Sequence, residues 1–192
     1  MAKPKILAFA GSTRIDSFNK KLVKVATIGA MENGADVTVI DLRDFAMPLY
    51  DGDLEQKEEI PSNARKLKDL MLSHQGFLIS SPEYNSSISG VLKNTIDWAS
   101  RPSEGEEPLA CFKGKVAGIM SASPGGLGGL RGLVHVRAIL ENISVLVIPE
   151  QIAIAKANEV FNSDGTLKDK KQEEQVKRIG AGVANLLIKL TA

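Results

Sequence analysis

The sequence predicts a doubly wound α/β fold: a five-stranded parallel sheet in the order 2-1-3-4-5, with helices on both faces. Three observations predict it. Short apolar runs alternate along the chain with longer segments of helical periodicity. The apolar runs show no polar alternation, as expected of strands covered on both sides. Loops rich in glycine or polar groups leave the first, third and fourth runs. In this strand order those three strands are neighbours, so their carboxyl ends open on one crevice at the switch in strand order.

The elements follow in order. Lys5 to Ala10 is the first strand. Asp16 or Ser17 then caps a helix with Phe18, Leu22, Val25, Ala26 and Gly29 on one face, closed by Asn33-Gly34. Asp36 to Ile40 is a β-branched second strand. Residues 41–59 form a long polar connection, and Ile60-Pro61 opens a helix facing inward through Ala64, Leu67, Leu70, Met71 and His74. Gly76 to Ser80 is the third strand, stopped by Ser81-Pro82. Gly90 to Ser100 reads as a helix, Ser103 to Pro108 as an acidic loop, and Lys115 to Ser121 as the fourth strand. A glycine-rich loop then leads into a helix marked by Leu130, Leu133, Val136, Leu140 and Ile143. The fifth strand is Val145 to Ile148, and the final helix begins in the charged run Lys168 to Gln175. Residues 1-192 are expected to form a single domain, with no repeat or linker.

Composition narrows the function. At 43% hydrophobic and 24% charged, the 192 residues are ordinary for a soluble globular chain. A net charge of +1 argues against nucleic acid as a partner, and against the strongly acidic surface of a small electron carrier. No apolar run approaches the roughly 18 residues of a membrane span, and Met1-Ala2-Lys3-Pro4 opens no signal peptide. One cysteine, Cys111, requires no oxidising compartment, so the expected location is cytoplasmic. His74 and His135 have no companions at metal-ligand spacing, and no metal site is expected.

The chemistry concentrates at Gly11-Ser12-Thr13-Arg14-Ile15-Asp16-Ser17-Phe18-Asn19, between a strand and a helix N-terminus. Such junctions bind anions through backbone N–H groups and the helix dipole. The loop lacks both Gly-x-Gly-x-x-Gly and the lysine of a triphosphate loop. Hydroxyls with Arg14 suit a terminal monophosphate, whose three oxygens meet Ser12, Ser17, Asn19 and backbone donors. The competing reading is an ordinary capped turn.

Three motifs in order give the chain a resemblance. Gly11-Ser12-Thr13-Arg14 with Ser17 and Asn19, Ser81-Pro82-Glu83-Tyr84-Asn85, and Leu92-Lys93-Asn94 with Asp97-Trp98 look like the NADPH-dependent FMN reductases. Among these the chain is most similar to quinone, chromate and azo-compound reductases. The resemblance implies a flavodoxin-like fold, bound FMN, NADPH or NADH as co-substrate, and a homodimer or homotetramer. It assigns Ser12, Arg14, Ser17 and Asn19, beside Gly11, to the FMN phosphate. Pro82, Glu83, Tyr84 and Asn85 match the loop lining the isoalloxazine ring, and Ser121, Ser123, Gly125 and Gly126 the loop along its other edge. Tyr84 is equally readable as a core or interface aromatic, and Glu83 as a solvated carboxylate.

The implied activity is hydride transfer from NAD(P)H through FMN to quinones or other acceptors (azo compounds, chromate, flavin) in a ping-pong cycle. The cofactor carries the chemistry and no side-chain nucleophile is required. Arg14 and Arg101 are candidates to attract the nicotinamide cofactor's phosphates, and Arg131 to pair with Glu150 across a subunit contact. The alternatives are an FMN-binding electron carrier without NAD(P)H activity, and a flavin-free binding module.

Overall fold

A computed structural model describes residues 3–58, 60–103 and 105–190. Glu59, at the end of the expected polar connection, and Glu104, inside the expected acidic loop, lie outside the described residues, as do Met1 and Ala2. Strands β1 (Lys5–Ala10), β2 (Asp36–Val39), β3 (Gly76–Ser80), β4 (Val116–Ala122) and β5 (Leu146–Ile154) form one sheet in the order β2-β1-β3-β4-β5. Every neighbouring pair is parallel. The fold is the flavodoxin-like α/β arrangement expected.

The helices are α1 (Phe18–Glu32), α2 (Gly52–Glu58), α3 (Ser62–Ser73), α4 (Gly90–Ala99), α5 (Leu130–Asn142), α6 (Ala157–Val160) and α7 (Lys170–Leu190). Strand side chains alternate between two cores. Ile6, Ala8, Leu78, Val116 and Met120 face α1 and α7. Leu7, Phe9, Phe77, Ile79, Ala117 and Ile119 face α3, α4 and α5. Burial on both sides is why β1, β3 and β4 read as unbroken apolar runs.

Two elements depart from expectation. β5 continues to Ile154, because its pairing with β4 shifts register between Ala117 and Ile119, where Ile119 pairs with Gln151. Pro149, which has no N–H to give a ladder, falls in that irregularity and made the strand look finished. The described part of the 41–59 connection, residues 41–58, is more ordered than its composition suggests. Asp41 accepts a hydrogen bond from Arg43 N at 3.0 Å and starts a 3₁₀ turn at Leu42–Phe45. α2 follows with no buried residue, so no apolar stripe announced it.

That connection is strapped to α4. Asn94 accepts from Tyr50 N at 2.8 Å and donates to Pro48 O at 2.9 Å, and Trp98 Nε1 donates to the same carbonyl at 2.9 Å. Glu55 accepts from the Tyr50 hydroxyl at 2.9 Å and from Arg101 Nε at 2.9 and 3.0 Å.

Candidate functional site

The loops after β1, β3 and β4 meet at the carboxyl edge of the sheet in a narrow cleft of about 100 Å³. It is lined by Ser12, Arg14, Ser17, Phe18, Asn19, Pro82, Glu83, Tyr84, Ala122, Ser123 and Pro124. Predicted residues from all three loops are therefore brought together, whereas the motif from Leu92 to Trp98 lies on α4 and does not line the cleft. Phe18, Ala122 and Pro124 were not anticipated. Phe18 stacks on Phe161 at 5.9 Å, a partner 143 positions away that no local signal reveals.

The first loop leaves only part of its donor set uncommitted. Ser17 is the N-cap of α1 by backbone conformation, yet its hydroxyl makes no capping hydrogen bond. Lys20 N donates to Ser17 O at 3.0 Å, which leaves the Phe18 and Asn19 N–H groups ahead of it in need of an acceptor. Ser12 is buried, and its hydroxyl accepts from Arg14 N at 3.3 Å. No carboxylate among the described residues pairs with the exposed Arg14. Gly11 lies beneath the cleft, donating to Ser80 O at 2.9 Å and accepting from Ser89 Oγ at 2.6 Å. A Cβ at Gly11 would come within 2.9 Å of Leu92 Cβ, so the loop's approach to α4 requires glycine.

The second loop is a tight turn in which Tyr84 and Ser87 exchange backbone hydrogen bonds at 2.9 and 3.0 Å. Asn85 and Ser86 at its tip have φ of 51° and 66°, the conformation that asparagine tolerates better than most residues. Asn85 does not line the cleft. Glu83 is anchored rather than solvated. One carboxylate oxygen accepts from Arg131 Nε at 2.9 Å and lies 2.7 Å from the second guanidinium nitrogen, and the other accepts from Gly132 N at 3.1 Å. Burial opposes ionisation, but the Gly132 N–H and the Arg131 guanidinium outweigh it and hold the carboxyl below its ordinary range. Its charge is neutralised by an arginine and a helix N-terminus. Arg131 is therefore engaged within the chain, not held for Glu150.

The third loop folds back over β4. Gly128 and Gly129 have φ of 62° and 92°, and a Cβ at Gly129 would fall 2.0 Å from Ser121 Oγ. Ser121 is wholly buried under that glycine, its hydroxyl without a partner among the described residues, and does not reach the cleft. Ser123 does line it, accepting from Gly125 N at 3.2 Å. Gly125 and Gly126 lie exposed just beyond.

Arg101 is committed to Glu55 and lies over the Tyr50 ring at 5.6 Å, so it belongs to the strap on α4 and not to the cleft. Burial pushes the Cys111 thiol up to about 11, which removes it as a nucleophile. No cluster of metal-ligating side chains occurs among the described residues. No helix among them is long and apolar enough to cross a membrane. A wider groove of about 440 Å³ lies on the other side of Ser17. Its charges are largely internally paired, Lys20 with Asp41 and Lys21 with Asp16, both at 2.6 Å.

The model of the NADPH-dependent FMN reductases matches residues 4–159. The chain belongs to that family of oxidoreductases. It is 34% identical over 175 residues to an NAD(P)H-dependent FMN reductase of Pseudomonas aeruginosa, covering 91% of this chain and 90% of that one. It is 35% identical over 173 residues to a quinone reductase of Escherichia coli K12, covering 87% and 86%. Among solved structures it is similar to FerB, a flavoenzyme NAD(P)H:(acceptor) oxidoreductase from Paracoccus denitrificans. The TM-score is 0.81 at 27% identity, over 97% of this chain and 98% of that one.

Proposed function

We propose that this chain is an FMN-dependent oxidoreductase that passes hydride from NAD(P)H to quinones in a ping-pong cycle. One observation carries the reading. The β1–α1 loop offers an uncapped helix N-terminus, the uncommitted Ser17 hydroxyl and Arg14, which forms no salt bridge among the described residues, in the cleft that Pro82, Tyr84 and Ser123 also line. That donor set fits a phosphate monoester, and the flanking loops fit a flat ring approached through backbone groups.

Bound FMN supplies the hydride-accepting and hydride-donating ring. The protein's own residues do the rest. Ser12, Ser17, Arg14 and the first turn of α1 hold the phosphate. Pro82 fixes an extended exit from β3, and the turn at Asn85 and Ser86 holds Tyr84 over the open side of the cleft, half exposed at 51%. An open side of this kind admits the nicotinamide and then, after its departure, the acceptor in the same place. Azo compounds, chromate and free flavin are further acceptors under this reading. We read residues 1-192 as one FMN-binding domain of a cytoplasmic homodimer or homotetramer. Leu127, Leu130 and Val134, exposed beside the cleft, give an assembly apolar surface to cover.

Purified protein is expected to be yellow, and to oxidise NADPH or NADH when benzoquinone is added. Colourless protein that gains no such activity with added FMN would overturn the reading. Arg14→Ala is expected to weaken FMN binding by about 10- to 100-fold, the worth of a hydrogen bond to a charged group. Its turnover at saturating FMN should stay near wild type. Equal flavin retention by variant and wild type through gel filtration would remove Arg14 from the site.

The Glu83–Arg131 pair leads to a second expectation. Arg131→Ala leaves the Glu83 charge held only by Gly132 N, which disfavours added negative charge in the cleft; Glu83→Gln does the reverse. The flavin midpoint potential is expected to fall in the first variant and rise in the second, by spectroelectrochemical titration. Identical potentials in both would show that the pair is remote from the ring.

A further inference from the structure

We infer that Asn19 is a positioning residue, a joint that holds the phosphate-side and ring-side loops in register, and not a ligand of the phosphate. The inference rests on the FMN reading for what the loops bind, but the joint itself stands on hydrogen bonds within the chain. Asn19 is the second residue of α1 and only 4% exposed. Its Oδ1 accepts from Ser80 Oγ at 2.8 Å and from Ala122 N at 3.0 Å. Its Nδ2 donates to Ala122 O at 2.9 Å. Both acceptor positions of the amide oxygen and one of its two donor hydrogens are therefore spent inside the protein.

The partners explain the placement. Ser80 ends β3 and Ala122 ends β4. With the start of α1, these are the three points from which the cleft-lining loops depart. The Ser80 hydroxyl is wholly buried, and Ser80 O also takes the Gly11 N–H at the end of β1. One side chain thus fixes the helix that presents Ser17 against the strands that present Pro82 and Ser123. A buried network with every member satisfied sets such spacing rigidly, and losing one member orphans the rest. Serine or threonine is too short for this work, since the site needs donor and acceptor on one planar group.

The discriminating measurement compares FMN with riboflavin, which has the same ring and no phosphate. Dissociation constants for both are measured by flavin fluorescence on the full chain after flavin removal. Arg14→Ala should weaken FMN alone. Asn19→Ala should weaken both flavins together, by about tenfold or more, the cost of orphaning buried polar groups, with their affinity ratio kept. Ser80→Ala removes one member of the joint where no ligand reaches, and should show the same signature to a smaller degree. Hydrogen exchange on the flavin-free chain should show the 11–17 and 122–125 segments opening together in Asn19→Ala while α7 stays protected. An Asn19→Ala variant whose FMN-to-riboflavin ratio collapses as in Arg14→Ala would overturn the inference. Unchanged affinities, or unchanged exchange at Ala122, would overturn it too. A wild type that holds neither flavin would instead overturn the FMN reading, and the exchange comparison would then decide the joint alone.

Discussion

A Gly180→Ala variant is expected to melt several degrees below wild type, although alanine is the better helix former. Gly180 lies in α7 where it crosses α1, and a Cβ there would come 1.9 Å from Ala26 O and 2.8 Å from Ala30 N. Gly29 is its counterpart on α1, with a Cβ 2.0 Å from Lys177 O. The two helices touch backbone to backbone, so no side-chain rotation makes room for a methyl group. Exchanging glycine for alanine in a helix favours folding by about 1 kcal/mol. Overpacking against fixed backbone costs about 3 kcal/mol, so the net expectation is a loss of about 2 kcal/mol. In a domain of this size that corresponds to roughly 4–8 °C. Thermal unfolding followed by circular dichroism tests it, and a melting temperature within a degree of wild type would show that the helices part without cost. The effect should reach the cleft, because α1 carries Ser17 and Asn19 at its other end. FMN retention is expected to fall with stability, whereas a change on the solvent face of α7, such as Lys171→Ala, should alter neither.

Legibility in the sequence followed the range of the interaction. Strands such as Gly76–Ser80 and the apolar faces of α1, α3, α4 and α5 were readable because their cause is local: unbroken burial or a helical stripe. The cleft was readable as a set of loops, since glycine, proline and hydroxyls mark strand ends. Individual roles were not. Asn19 gave no local sign of its hydrogen bonds because its partners, Ser80 and Ala122, lie 61 and 103 residues away. Glu83 looked solvated because Arg131 and Gly132 enter from α5. Arg101 looked available because nothing near it in sequence hints at Glu55, 46 positions earlier. Ser121 alternates with Ala122 along β4, and only its cover by Gly129 shows that it faces away from the cleft. In each case the type of residue was informative, and the direction of the side chain was set by tertiary packing.

Glu106→Ala is expected to destabilise the fold by about 3 kcal/mol. Lys68 on α3 is almost wholly buried, with 2% of its side chain exposed. Its ammonium donates to Glu106 Oε2 at 2.6 Å, to Arg101 O at 2.6 Å and to Ser103 Oγ at 2.8 Å. The same carboxylate oxygen accepts from Ser103 N at 3.0 Å. Lys68 is in this way the peg on which the chain after α4 is hung, beside the strap made by Glu55 and Arg101. Removing one partner of a buried pair leaves an uncompensated charge, at about 3–5 kcal/mol. The lower end applies here, because Glu106 is 24% exposed and water shares in screening the pair. Lys68→Met should cost less, since the carboxylate it abandons can be hydrated where the ammonium cannot. The pair also gives stability a pH dependence of fixed sign. Burial resists ionisation of Glu106, but Lys68 and Ser103 N outweigh it and hold the carboxyl below its ordinary value of 4.5. A carboxyl lowered on folding contributes in full above that ordinary value, and the contribution is lost as pH falls through the folded value. Urea unfolding of wild type should therefore weaken as the pH is taken down from about 4.5, with a shallower decline in Glu106→Ala and in Lys68→Met. Parallel pH profiles for all three would mean that the Lys68–Glu106 pair contributes nothing to the acid limb, and that other carboxylates, Glu55 and Glu83 among them, carry it.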